Sequence, residues 1–181
     1  MKKFTVLDLL DLDLKDHNAL YLKCIGGRPG LVHEITVPDL NRPGLALGGF
    51  FDNFAYQRIQ LFGRGEHAYL QKLEREQENT PLLEMFKYEF PCCIFTHGLF
   101  PTEEFMRLAE ESECPVLQTK LASSDLAVRL MWALNNVFAP KKTIHGVLVE
   151  VFGIGVLIQG DSGVGKSETA LELIERGHRL I

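Results

Sequence analysis

Gly160-Asp161-Ser162-Gly163-Val164-Gly165-Lys166-Ser167 follows the β-rich run Ile154-Gly155-Val156-Leu157-Ile158-Gln159 and precedes an amphipathic stretch from Glu168 to Arg176. The spacing fits G-x-x-x-x-G-K-[ST] at every fixed position, after a strand and before a helix, which is the context a phosphate-cradling loop requires. Phosphate oxygens need several amide donors converging at short range. Gly160, Gly163 and Gly165 let the backbone close that tightly without Cβ interference. The helix that follows points its unpaired amides and positive dipole end at the same anion, and Lys166 adds a point charge. Ser167 offers a hydroxyl ligand for Mg²⁺. Asp161 and Glu168 flank the loop and are read as loop and helix-start residues, since acids are favoured in a helix's first turn.

Working outward, Thr143 to Glu150 and Ile154 to Gln159 form two β-rich runs joined at Phe152-Gly153, a pattern compatible with an antiparallel turn. On the other side, Gly177 suits the left-handed position after a helix, and His178-Arg179-Leu180-Ile181 starts another strand. A nucleotide-binding domain needs more strands than this to cover its sheet, so the chain is expected to be a fragment. His145, by its surroundings alone, reads as a core or edge histidine of an apolar strand.

The preceding part of the chain alternates strand and helix signals. Thr5 and Asp8 have the spacing of a helix start, with a short helix following. Ala19 to Cys24 has strand character, ended by Gly26-Gly27-Arg28-Pro29-Gly30. Arg58 to Gly63 alternates like a half-buried strand, and a polar helix spans about Glu66 to Gln77. Phe90 to Thr96 reads as a strand covered on both faces. Thr102 can cap the next helix, Pro115 to Thr119 is a further strand, and Ser123-Ser124-Asp125 caps a long helix reaching about Phe138. That helix has apolar residues on most sides, which predicts burial on most sides, in a core or clasped between domains or subunits. Pro140-Lys141-Lys142 then stops it. The expected fold class is α/β: residues 1–138 an α/β domain with a mostly parallel sheet, 139–142 a linker, and 143–181 the truncated beginning of a P-loop domain.

The 181 residues carry 19 Lys plus Arg against 24 Asp plus Glu, a formal charge of -5, with no run of basic residues, so nucleic acid is an improbable partner class. The longest apolar segment, Ile144 to Ile158, has 15 residues including three glycines, His145 and Glu150. It falls short of the roughly 20 residues of a bilayer span. The amino terminus lacks an apolar signal-peptide core. Cys24, Cys92, Cys93 and Cys114 have no metal-ligand spacing, and a reducing cytoplasm is the expected location.

The stretch Thr143-Ile144-His145-Gly146-Val147-Leu148-Val149, the loop Gly160 to Ser167 with Glu168-Thr169-Ala170-Leu171, and Arg176-Gly177-His178-Arg179-Leu180 resemble bacterial HPr kinase/phosphorylase. Asp39-Leu40-Asn41-Arg42-Pro43-Gly44-Leu45 and Arg58-Ile59-Gln60-Leu61 are similar to that family's first domain, so the resemblance spans almost the whole chain. It implies an ATP- or pyrophosphate-dependent kinase that phosphorylates one serine of the phosphocarrier protein HPr and reverses this by phosphorolysis, in carbon catabolite regulation. It further implies hexamers, a nucleotide loop at Gly160, Asp161, Ser162, Gly163, Val164, Gly165, Lys166 and Ser167, Ser167 as Mg²⁺ ligand, and His145 and Lys166 at catalytic positions. The family's catalytic aspartate falls just beyond the strand begun at His178, so the chain as it stands is expected to be inactive. Two other readings stay open: a nucleotide-sensing or assembly module without catalysis, and, for residues 1–138, a small-molecule ligase domain resting on fold analogy alone.

Overall fold

Thr5 and Asp8 cap the first helix reciprocally: the Thr5 amide donates to Asp8 Oδ2 (3.0 Å) and the Asp8 amide to Thr5 Oγ1 (3.2 Å). The structure, a computed structural model, describes residues 3–15 and 19–181. It divides into two units, Met1–Ala139 and Pro140–Ile181.

In the first unit α1 (Val6–Lys15) leads to β1 (Lys23–Gly26), a 3-10 turn (Arg28–Val32), β2 (Leu40–Asn41), α2 (Gly44–Leu47) and β3 (Ile59–Phe62). Then come α3 (Arg64–Glu76), α4 (Thr80–Met85), β4 (Cys93–Phe95), α5 (Glu103–Glu111), β5 (Val116–Gln118) and α6 (Ser123–Phe138). The sheet order is β1-β5-β4-β3-β2. β2 to β5 are mutually parallel, and β1 joins the edge antiparallel with a bulge between Cys24 and Gly26. The fold is therefore α/β with a mostly parallel sheet.

Side chains of successive strand residues enter opposite faces, and each face has its own core. Phe62, Cys93, Phe95 and Val116 meet Leu70 of α3, Met85 of α4 and Phe105 of α5. There the Phe62 and Phe95 rings stack at 4.6 Å, and Phe105 stands edge-on to both. On the other face Leu61, Ile94 and Leu117 meet Leu9 of α1 and Leu126, Leu130 and Leu134 of α6.

Several expectations are corrected. β3 is not half-buried: all four residues are buried, because helices cover a parallel sheet on both faces. Its polar member, Gln60, donates to the Ala55 and Arg58 carbonyls and accepts from Asn41 Nδ2. The strand expected over Ala19–Cys24 begins only at Lys23, since Tyr21 has φ 53° and the Leu20 and Leu22 amides go to the buried Asp13 carboxylate instead of a ladder. α3 starts at Arg64, two residues before the expected Glu66, because the Glu66 carboxylate reaches back to the Gly63 amide at 3.0 Å. Within this chain α6 is not a core helix buried on most sides: one stripe is buried, and Val128 and Trp132 are exposed. Its start has no side-chain cap: Ala122 holds that position, and Ser123 Oγ instead meets Thr96 Oγ1 at 2.7 Å.

All four cysteines are free thiols, with Cys92, Cys93 and Cys114 buried. Burial pushes the Cys92 and Cys93 thiols well up, which makes them poor nucleophiles. Among the described residues no helix is long and apolar enough to cross a membrane.

The second unit holds β6 (Gly146–Val151), β7 (Ile154–Gln159), α7 (Lys166–Glu175) and β8 (Arg179–Leu180), with sheet order β7-β6-β8. β6 and β7 pair antiparallel from Gly146 opposite Gln159 to Val151 opposite Ile154. The turn residues Phe152 (φ 52°) and Gly153 (φ 81°) both take left-handed backbone, the geometry that matches strand twist in a two-residue hairpin.

Candidate phosphate-binding site

β7 delivers the chain directly into the glycine loop. Gly163 and Gly165 have φ of 85° and 89°, a region that L side chains rarely adopt, so glycine suits both positions of the loop. A Cβ on Gly160 would lie 3.0 Å from Val164 Cγ2, a tight contact that the Val164 side chain would have to relieve. Lys166 opens α7 with its ammonium folded back over the loop, donating to the Gly160 carbonyl at 2.8 Å and the Asp161 carbonyl at 2.5 Å. Gly165 caps the helix, and its carbonyl accepts both the amide and the hydroxyl of Thr169 at 2.9 Å. This second bond ties the loop to the helix, and the motif pattern did not single out Thr169.

Ser167 lies exposed in the first turn of α7, next to Lys166. Asp161, Ser162 and Val164 are exposed on the loop. His145 precedes β6 and is exposed rather than a core residue. The register that sets Gly146 opposite Gln159 puts His145 and Gly160 at the same end of the hairpin. A Cβ on Gly146 would meet the Ile158 carbonyl at 2.8 Å and Leu157 Cδ1 at 2.9 Å, so a side chain there would force the two strands apart. One end of the three-stranded sheet thus gathers His145, the loop and the amino terminus of α7. β8 lies on the other side of β6, with Glu150 opposite Arg179, Val149 opposite Leu180, and the Ile181 amide donating to the Leu148 carbonyl at 3.0 Å.

The donor set is cationic and amide-rich, which suits polyphosphate. Among the described residues no group of three or more His, Cys, Asp or Glu is placed to hold a metal ion. Mg²⁺ usually draws on one or two protein oxygens plus substrate phosphates, and Ser167 Oγ fits that supporting role.

Comparisons with known proteins bear on the family of the chain. The family model described as HPr Serine kinase N terminus matches residues 11–134, and the one described as HPr Serine kinase C-terminal domain matches residues 136–181. The HPr kinase/phosphorylase of Treponema pallidum (strain Nichols) is 61% identical over 173 residues, covering 96% of this chain and 54% of that protein. That of Leptospira biflexa serovar Patoc is 47% identical over 168 residues, covering 93% of this chain and 52% of that protein. The chain spans about half the length of these curated relatives. A crystal structure of the CBS and DRTGG domains of the regulatory region of Clostridium perfringens pyrophosphatase overlaps 69% of this chain and 46% of its own, at 16% identity and a TM-score of 0.44, too slight an overlap to carry a conclusion. The family is set by the two consecutive matches and the close relatives: this chain belongs to the HPr serine kinases.

Proposed function

We propose that this chain is part of an enzyme that uses ATP or pyrophosphate to phosphorylate a serine of HPr and reverses the reaction by phosphorolysis, in cytoplasmic carbon catabolite regulation. The observation that carries the reading is the phosphate loop, with Lys166 held over it by the Gly160 and Asp161 carbonyls, in a chain 61% identical to an HPr kinase/phosphorylase. In this reading the Gly163 to Ser167 amides and the start of α7 bind the terminal phosphates, and Lys166 stabilises the charge on the group in transfer. Ser167 would hold Mg²⁺, which when bound neutralises phosphate charge. In the same reading His145, at the same end of the hairpin, exchanges a proton or hydrogen bond with a phosphate oxygen. The longer protein is proposed to be a hexamer.

Phosphoryl transfer also needs a base within about 3 Å of the acceptor hydroxyl. The chain spans about half the length of its curated relatives, and in this reading the groups that supply the base belong to the other half. Residues 1–181 are therefore proposed to be inactive alone.

The test is to incubate the longer protein and the 1–181 chain separately with HPr, Mg²⁺ and ATP or pyrophosphate, and to look for phosphoserine by mass spectrometry. The longer protein should modify HPr and the 1–181 chain should not. No transfer by the longer protein, with saturable ATP binding, would favour a nucleotide-sensing module instead. Stoichiometric modification by residues 1–181 would show that the apparatus is complete within them.

A further inference from the structure

Each strand of the β6–β7 hairpin carries one glycine, and the two differ in their surroundings. Gly155, opposite Glu150, has open space where a side chain would stand, with no atom within 4 Å of an added Cβ. Gly146, opposite Gln159, has none: its Cβ would lie 2.8 Å from the Ile158 carbonyl oxygen and 2.9 Å from Leu157 Cδ1. Neither glycine lies in left-handed backbone, so conformational freedom is not what suits glycine to position 146. Glycine weakens a strand interior and often marks the close approach of another backbone, which is what the Ile158 contact is.

The two obstacles would yield differently. Leu157 Cδ1 ends a flexible, exposed side chain that can swing aside. The Ile158 carbonyl is backbone, in a residue paired with Val147, and it would have to move about 0.6 Å to reach ordinary contact at 3.4 Å. That shift falls where both strands meet the site. His145 is the residue before Gly146, and Gly160 opens the loop two residues after Ile158. The Gly160 carbonyl in turn accepts from the Lys166 ammonium at 2.8 Å. A methyl group at position 146 therefore widens the gap between His145 and the loop while leaving the chemical groups of both untouched. Gly146 is also the end residue of the ladder, so the strain is taken up there with Val147 to Val151 still paired.

We propose that Gly146 is a positioning residue for phosphoryl transfer: its bare backbone lets β6 close on β7 at Ile158 and so fixes the distance between His145 and the phosphate loop. This role rests on the reading of His145 and the loop given above, and Gly146 acts through His145. Misplacing a reacting group by about 1 Å can cost roughly a hundredfold in rate, so a shift of about 0.6 Å corresponds to a loss of about tenfold.

The test measures HPr phosphorylation by the longer protein carrying Gly146→Ala, His145→Ala, both together, or Gly155→Ala as the control. Gly146→Ala should lower kcat about tenfold with KM for ATP within about threefold, and Gly155→Ala should change neither by more than about twofold. Circular dichroism and cooperative melting should be retained in both. On the His145→Ala background, Gly146→Ala should cost less than about twofold more, because a residue acting through His145 has nothing left to position. Full activity of Gly146→Ala, a further loss of about tenfold on the His145→Ala background, a raised KM at unchanged kcat, or loss of the fold would overturn the proposal and leave the kinase reading in place. No loss from His145→Ala alone would remove the role of His145, and no transfer by the wild-type protein would remove the kinase reading; either takes the proposal with it.

Discussion

Gly30→Ala should destabilise the first unit by more than its one added methyl group implies. A Cβ at this position would lie 1.7 Å from the Glu113 carbonyl oxygen and 2.8 Å from Pro115 Cδ. Ordinary contact begins at 3.4 Å, so backbone must yield by about 1.7 Å in a close-packed interior. The segment that must move is held at both ends, the Cys114 amide by the Ala109 carbonyl at 2.8 Å and the Pro115 carbonyl by the Cys93 amide at 2.9 Å. Overpacking costs about 1–3 kcal/mol, and loosening one ladder bond adds about 0.5–1.5 kcal/mol. The expected loss is about 2–4 kcal/mol, a large part of the roughly 5–15 kcal/mol of a typical domain. Gly44→Ala is the control: no atom lies within 4 Å of its added Cβ, and it opens α2. That change should be neutral or stabilise by up to about 1 kcal/mol. Urea melts followed by circular dichroism give both values. A Gly30→Ala loss below about 0.5 kcal/mol, with an unchanged urea slope, would refute the close-approach argument.

Glu66→Ala should cost about 2–3 kcal/mol, because it strips the buried Gly63 amide of its acceptor and Arg42 of a two-point partner at 3.0 and 2.8 Å, the half-exposed Arg42 moderating the loss. Burial pushes the Glu66 carboxyl up, but the Arg42 hydrogen bonds, the backbone amides and the Arg42 charge outweigh it and hold the group below the usual carboxylate range. Its stabilisation is therefore full above about pH 4.3 and lost as pH falls through the lowered folded value, so Glu66→Gln should flatten the melting temperature between pH 5 and 3. Lys166→Ala in the longer protein should leave circular dichroism unchanged and cut phosphoryl transfer at least roughly a hundredfold, and normal turnover would remove Lys166 from its assigned role. A chain cut after residue 140 should melt cooperatively, since both core clusters lie within the first unit; a broad, non-cooperative transition would place the boundary elsewhere.

What the sequence revealed and what it hid differ by the range of the interactions involved. Thr5 with Asp8, Thr102 accepting from Phe105, and the Phe152-Gly153 turn are set within four residues, and spacing alone was enough to find them. The glycine loop between β7 and α7 was legible for the same reason. Coverage of β3 on both faces was not, because it depends on helices brought in from elsewhere in the chain. The two-residue β2 leaves no periodicity to detect, and the Arg42–Glu66 pair joins residues 24 apart. α6 shows the limit of composition: an apolar side chain is compatible with the interior but does not require it, and Val128 and Trp132 are exposed within this chain. His145 gained its place beside the loop only through the β6–β7 register, a tertiary fact.

The direction of β8 carries a geometric consequence. Running antiparallel to β6, with Ile181 bonded to Leu148, this strand advances toward the end of the sheet where His145 and the loop lie. Extended backbone climbs roughly 3.3 Å per residue, so a chain prolonging β8 would draw level with His145 after about three more steps. Alternate positions of such a strand face opposite sides of the sheet. A single-residue insertion between Gly177 and Arg179 would therefore swap every later side chain from one face to the other. The phase of this short strand, set from Gly177 where the helix stops, decides which face of the sheet each of its side chains takes.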